Sequence, residues 1–151
     1  MMTKEEMNVF SLRIANCSKT ELIVITYDII LNYVDSACSS YEKDDLDGVV
    51  FNLKKAKQFL NNLSSSLDFK YGISYELMNL YMYINNCLVR NIAKRNVENS
   101  DSIRSVINRL RESFDDISGL DNSGKVMKNS EQVYIGYTYG RTSTLNEVRV
   151  R

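Results

Sequence analysis

Apolar residues recur at helical spacing in four successive segments between residues 18 and 117, separated by short polar stretches. In the first, Leu22, Ile25, Ile29, Ile30, Tyr33, Val34, Ala37, Cys38 and Tyr41 share one face, with Asp28, Asn32, Asp35 and Ser39 opposite, the 3.6-residue period of an amphipathic helix. Ser18-Lys19-Thr20-Glu21 fits a capping box at its start. Glu42-Lys43-Asp44-Asp45 ends it, and either aspartate suits the positive N-terminus of the next helix. That second helix carries Leu46, Val49, Val50, Leu53, Ala56, Leu60, Leu63 and Leu67 on one stripe. Gly48 weakens its first turn by roughly 1 kcal/mol relative to alanine. A turn at Gly72 precedes a third helix from near Ser74. A fourth opens at Asn99 or Ser100 with the seam Ile103, Val106, Ile107, Leu110, Phe114 and Ile117, and with Arg104, Arg109, Arg111, Glu112, Asp115 and Asp116 outside it.

Short joints make consecutive helices antiparallel. The expected fold is therefore all-α: an antiparallel up-down four-helix bundle over residues 18–118, preceded by an N-terminal arm or short helix (1–17) and followed by a C-terminal extension (119–151). In the extension, Val133, Ile135 and Tyr137 alternate with Tyr134, Gly136 and Thr138 before Gly140-Arg141, which suits a small β-hairpin. The polar stretch 121–132 suits disorder equally well.

The third helix departs from a simple amphipathic pattern. Leu77, Leu80, Tyr81, Ile84, Leu88 and Ile92 form the inward stripe, but Tyr75, Met78, Met82 and Val89 form a second one beside it. A helix apolar over most of its circumference is either buried all round or keeps a face for something else, and a four-helix bundle does not bury one member all round. The second stripe is either covered by the N-terminal arm or the C-terminal extension, or serves as a groove for another protein's amphipathic segment. Methionine adapts its shape and tyrosine brings large contact area at little entropic cost, so both suit a groove. An arm bearing Val9, Phe10, Leu12 and Ile14 is able to occupy such a groove until a partner displaces it.

Composition narrows the chemistry. Among the 151 residues there is no histidine, which removes the usual acid, base and metal ligand of helical bundles, so no catalytic residue, metal or cofactor is expected. The carboxylate pairs Asp44/Asp45 and Asp115/Asp116 fall at helix ends or on polar faces and read as capping or solvating groups. Gly136-x-x-x-Gly140 lacks the lysine and the strand-to-helix setting of a phosphate loop. Cys17, Cys38 and Cys87 are odd in number and far apart, as expected of reduced, mostly buried thiols. Nineteen basic residues against nineteen acidic ones argue against a general nucleic-acid or membrane-surface binder. The cluster Lys54, Lys55 and Lys57 reads as a solvated face, with an acidic partner as the alternative. The longest aliphatic run, residues 22–25, is far short of the roughly 20 needed for a membrane span. Lys4, Glu5 and Glu6 interrupt any secretory signal, so a cytoplasmic location is expected.

Ile14-Ala15-Asn16-Cys17-Ser18-Lys19-Thr20-Glu21-Leu22 followed by Ile25-Thr26-Tyr27-Asp28 resembles the opening of the FliS family of flagellin export chaperones. There a Val-x-x-Ala-Ser-Pro-x-x-Leu segment leads into Leu-Tyr-Asp or Leu-Phe-Asp. Lys55-Ala56 with residues 63–68 resembles the family's second helix. Leu77-x-x-Leu80-Tyr81-x-Tyr83-Ile84 with Leu88 and Asn91 resembles its third. Lys19 stands where the family usually has proline, Cys17 where it has alanine, and Phe114 is the nearest aromatic to the family's usual tryptophan. The resemblance covers about residues 10–117 and marks a divergent member.

The resemblance implies a cytoplasmic helical chaperone that binds the disordered C-terminal region of flagellin, prevents premature polymerisation and presents its cargo for type III flagellar export, with the export gate as a further contact. It also implies an N-terminal segment that lies over part of the binding surface. On this chain helical geometry assigns the partner-binding residues as Leu53, Leu60, Tyr75, Met78, Met82 and Val89, and the lid as Val9, Phe10 and Ile14. A helical adaptor with another target, or a homodimer through Tyr75, Met78 and Met82, is the alternative. The oligomeric state expected is a monomer or weak homodimer, without nucleic-acid binding or membrane insertion.

Overall fold

Each helix begins where a side-chain oxygen, or a tight turn, takes care of amides that the helix itself leaves unbonded. A computed structural model describes residues 2–121 and 124–127, and the described chain is all-helical: α1 (Lys4–Asn16), α2 (Lys19–Glu42), α3 (Leu46–Ser65), α4 (Ile73–Lys94) and α5 (Ser100–Ser118). The arm is thus a helix of 13 residues, opened by a full capping box. Thr3 Oγ1 accepts from the Glu6 amide at 3.2 Å and the Glu6 carboxylate accepts from the Thr3 amide at 2.7 Å. At α2 the Ser18 hydroxyl accepts from the Glu21 amide (3.2 Å), as the motif predicts.

A second acceptor at that helix start comes from far along the chain. Asp121 Oδ2 accepts from both the Thr20 amide (3.0 Å) and the Thr20 hydroxyl (2.7 Å), and the Val126 amide donates to the Cys17 carbonyl (2.9 Å). The beginning of the extension therefore docks at the α1–α2 junction. The hairpin expected between residues 133 and 145 lies outside the described residues.

Asp45 caps α3 through the Gly48 amide (2.9 Å), and Asp44 turns the chain in the left-handed region (φ 58°). Gly48 has a reason to be there. A β-carbon at this position would lie 2.2 Å from Asp45 Oδ2 and 2.7 Å from Ser40 Oγ, so the lost helix propensity accompanies a cap that a side chain would push apart. The α4–α5 joint is held by Asn91. Its carboxamide oxygen accepts from the Asn99 side chain (3.1 Å) and amide (3.4 Å), and its carbonyl from the Asn96 amide (3.0 Å).

The chain packs as two compact units: Thr26–Glu112, and Met2–Ile25 with the described residues from Ser113 onward. The boundary falls inside α2 and α5. In the first unit α3 lies along α4, and an ion pair between Asp47, in the first turn of α3, and Arg95, at the end of α4, shows that they run antiparallel. Helices α2 and α5 are antiparallel as well, since Asp28 pairs with Arg111 and Asp35 with Arg104 (2.8 Å). Tyr33 of α2 stacks on Phe59 of α3, ring centroids 5.9 Å apart. The core gathers Ile30, Val34, Val49, Leu53, Leu60, Ile84, Leu88, Ile103 and Ile107, all fully buried.

Some positions differ from the periodic expectation. Tyr41, Leu80 and Ile117 are exposed at the edges of their stripes, while Asn52 and Tyr27 are buried. Asp28, expected outside, is largely buried because Arg111 meets it there. Cys17 and Cys87 are buried, Cys38 partly so, and all three are free thiols. By length and composition α2 qualifies as a helix able to cross a membrane. Its buried face and its paired Asp28 are equally those of a core helix, and the four-residue run considered from sequence alone understated how apolar the whole helix is.

Tyr27 and Tyr81 bring their hydroxyls together at 2.6 Å inside the first unit. Two buried phenols that satisfy one another avoid the cost of an unpaired polar group. Burial raises both above the ordinary tyrosine value, so the fold retains protons that the unfolded chain gives up above about pH 10. Their contribution is therefore complete below that pH and is lost as pH rises past it. Urea unfolding between pH 9 and 11 should show stability falling by up to about 1.4 kcal/mol per pH unit for each phenol. The double variant Tyr27→Phe/Tyr81→Phe should flatten that slope. An unchanged slope would assign the loss to other groups.

Candidate functional site

Helix α4 is apolar on two faces, and the first unit buries only one. Ser74, Leu77, Tyr81, Ile84, Cys87, Leu88 and Asn91 face inward. Tyr75, Met82 and Val89 stand 61%, 56% and 44% exposed, with Met78 half-buried beside them. At about 100° per residue these four fall in one row along the helix. Tyr71, in the bend just before α4, is also exposed. Gly72 turns the chain there, as the sequence predicts.

The row starts at an ordered corner. The Asp68 carboxylate accepts from the Lys70 amide (3.0 Å), and its carbonyl accepts from the Ser74 hydroxyl (2.6 Å). Phe69 then lies against Tyr75 with ring centroids 5.0 Å apart, while Phe69, Tyr71 and Ile73 remain exposed. At the other end Arg95 closes the helix in the left-handed region (φ 54°), its amide reaching the Asn91 and Ile92 carbonyls. Between α3 and the end of the row lies an open cleft of about 430 Å³ lined by Lys54, Lys57, Gln58, Asn61, Val89 and Ile92. It offers an apolar floor with amide and ammonium groups on one wall.

Two of the six residues assigned to this surface from sequence do not belong to it. Leu53 and Leu60 are 0% exposed and sit in the core. The second helix had only one apolar stripe to give, and packing against α4 consumed it. The exposed wall of α3 is made instead by Lys54, Lys57, Gln58 and Asn61. Of the lid residues, which lie on α1 in the other unit, Val9 is exposed and Phe10 and Ile14 are half-buried. The Arg13 guanidinium lies 5.7 Å over the Phe10 ring.

Nothing on the α4 surface is arranged for bond chemistry. Its members are aromatic, thioether and aliphatic side chains, bordered by amides and cations. Among the described residues no group of three metal-ligating side chains comes together. What such a surface does well is bind a partner through area.

A protein-family model described as Flagellar protein FliS matches residues 6–122. The chain belongs to the FliS family. It is therefore a member of a family of flagellar chaperones, not of enzymes, whose members take flagellin as a protein partner. Comparison with functionally curated proteins gives no match. Of the residues that carry the family resemblance, Leu80 and Tyr83 are exposed, whereas Tyr27, Asp28, Tyr81 and Asn91 help to hold the helices together. The exposed row lies beside them.

The division between core and surface is open to measurement. Leu53→Ala and Leu60→Ala should each cost about 2–5 kcal/mol in urea unfolding, whereas Met82→Glu should stay within about 0.5 kcal/mol of the parent protein. A large loss from Met82→Glu would place that residue in the core.

Proposed function

We propose that this FliS-family protein is a cytoplasmic export chaperone that binds the disordered C-terminal region of flagellin. It prevents early polymerisation and presents the chain for type III flagellar export. The observation that carries the proposal is the exposed row Tyr75, Met78, Met82 and Val89 on a helix whose other apolar face is already buried. Family membership supplies the direction.

The energetics suit a coupled folding partner. Ordering a disordered segment costs roughly 2–5 kcal/mol or more, and each large apolar side chain fully taken out of water returns about 1.5–3 kcal/mol. Several side chains on each partner are needed to exceed the cost, so an extended row is a better match than a single pocket. A disordered ligand wrapped along a surface also leaves by stages, which suits hand-over to the export gate. The lid role of Val9, Phe10 and Ile14 rests on the family resemblance alone.

Purified protein mixed with a peptide spanning the flagellin C-terminal region should form a complex stable to size-exclusion chromatography. The Tyr75→Glu/Met82→Glu variant, folded by circular dichroism, should bind at least about 30-fold more weakly, the effect of losing two central contacts worth more than 1 kcal/mol each. Undiminished binding by the folded variant rejects the assignment of the surface. A stable homodimer of the protein alone that excludes the peptide would favour the adaptor reading.

A further inference from the structure

The chain is neutral overall, but its charges are not evenly spread. Residues 48–95, which contain most of α3 and all of α4, carry seven basic side chains against two carboxylates, Asp68 and Glu76. Residues 26–47 are the reverse, with six carboxylates against Lys43 alone.

The basic groups also differ in how they are used. Arg104 is held by Asp35 and Asp101, Arg111 by Asp28, Arg95 by Asp47, and Lys94 by Glu98. Lys55 lies 5.7 Å over the Phe51 ring. Among the described residues, Lys54, Lys57 and Arg90 make no ion pair. Lys54 and Lys57 line the cleft that contains Val89. Arg90 is exposed and, one position on from Val89, falls on the opposite border of the row. Other described lysines, Lys43 and Lys70 included, are also unpaired, but Lys54, Lys57 and Arg90 are the ones that flank the exposed apolar row.

We propose that the segment seated on α4 is acidic: an amphipathic polypeptide whose apolar side chains meet Tyr75, Met78, Met82 and Val89, and whose carboxylates meet Lys54 and Lys57 on one border and Arg90 on the other. This rests on the row being the partner-binding surface and adds the chemistry of what binds there. An apolar seam with charged borders fixes register and orientation as well as affinity, because a segment that slides or reverses separates its carboxylates from the three cations. A nucleic acid would leave the apolar row unused and would want a broad basic field. A bilayer would want a wider apolar face than a row bordered by Asn79 and Asn86.

The test uses the full-length protein and three synthetic amphipathic peptides with the same apolar face and a polar face of glutamate, glutamine or lysine. At low salt the glutamate peptide should bind roughly tenfold more tightly than the glutamine peptide, as three rim ion pairs together allow, and the lysine peptide more weakly than either. In 0.5 M sodium chloride the difference should shrink to less than about twofold, since exposed charges are screened. Lys54→Gln/Lys57→Gln/Arg90→Gln should abolish the glutamate preference, so that the glutamate and glutamine peptides bind this variant within about twofold of one another. Equal binding of the three peptides overturns the proposal, as does tighter binding of a single-stranded oligonucleotide or of anionic vesicles. The flagellin C-terminal peptide is measured alongside. If it binds without any dependence on salt or on the three cations, the acidic partner falls and the chaperone reading stands. If it fails to bind while the glutamate peptide does, the reverse holds.

Discussion

A helix in a small helical unit can turn only one face inward, and α4 has two apolar faces. Leu77, Tyr81, Ile84 and Leu88 occupy the inward one, and Tyr75, Met82 and Val89 are left in water as a direct consequence. No choice of rotamers hides both, because the two stripes are separated around the helix by more than a side chain can span. The cost of that exposure persists in the free protein and is recovered only when something covers the row. An excess of apolar surface on an otherwise well-capped and well-packed chain is therefore the physical basis of the partner-binding proposal.

The inward side is kept in register by polar contacts rather than by grease alone. Tyr27 and Tyr81 satisfy each other's hydroxyls, Asp28 draws in Arg111, and Asn91 ties the end of α4 to the start of α5. Each contact requires one alignment of its two segments, whereas leucine and isoleucine tolerate several. Directional groups buried in this way favour a single packing over near-equivalent alternatives. Tyr27, Asp28, Tyr81 and Asn91 also fall in the segments by which the chain resembles the FliS family.

Charge is divided along the same line. The acidic side of α2 consumes the arginines of α5 in pairs that fasten the unit, while the hairpin of α3 and α4 keeps cations beside its exposed row. One set of charges holds the molecule together and the other is left facing outward.

The four long helices, their approximate boundaries and most core positions were legible in the sequence, because a 3.6-residue period, an N-terminal cap and a glycine turn are local features that each segment states for itself, whereas α1 was left open between an arm and a short helix. The double stripe of α4 was equally plain. The placement of Leu53 and Leu60 was not, since a single apolar stripe on α3 faces whichever neighbour needs it, and packing on α4 turned it inward. The same holds for the Asp121 contact at the start of α2, for the meeting of two tyrosines 54 positions apart, and for which cations stay unpaired. Periodicity determines which side of a helix is greasy. Only the tertiary structure decides what that side touches, because contact depends on how distant segments are brought together and no local pattern encodes that.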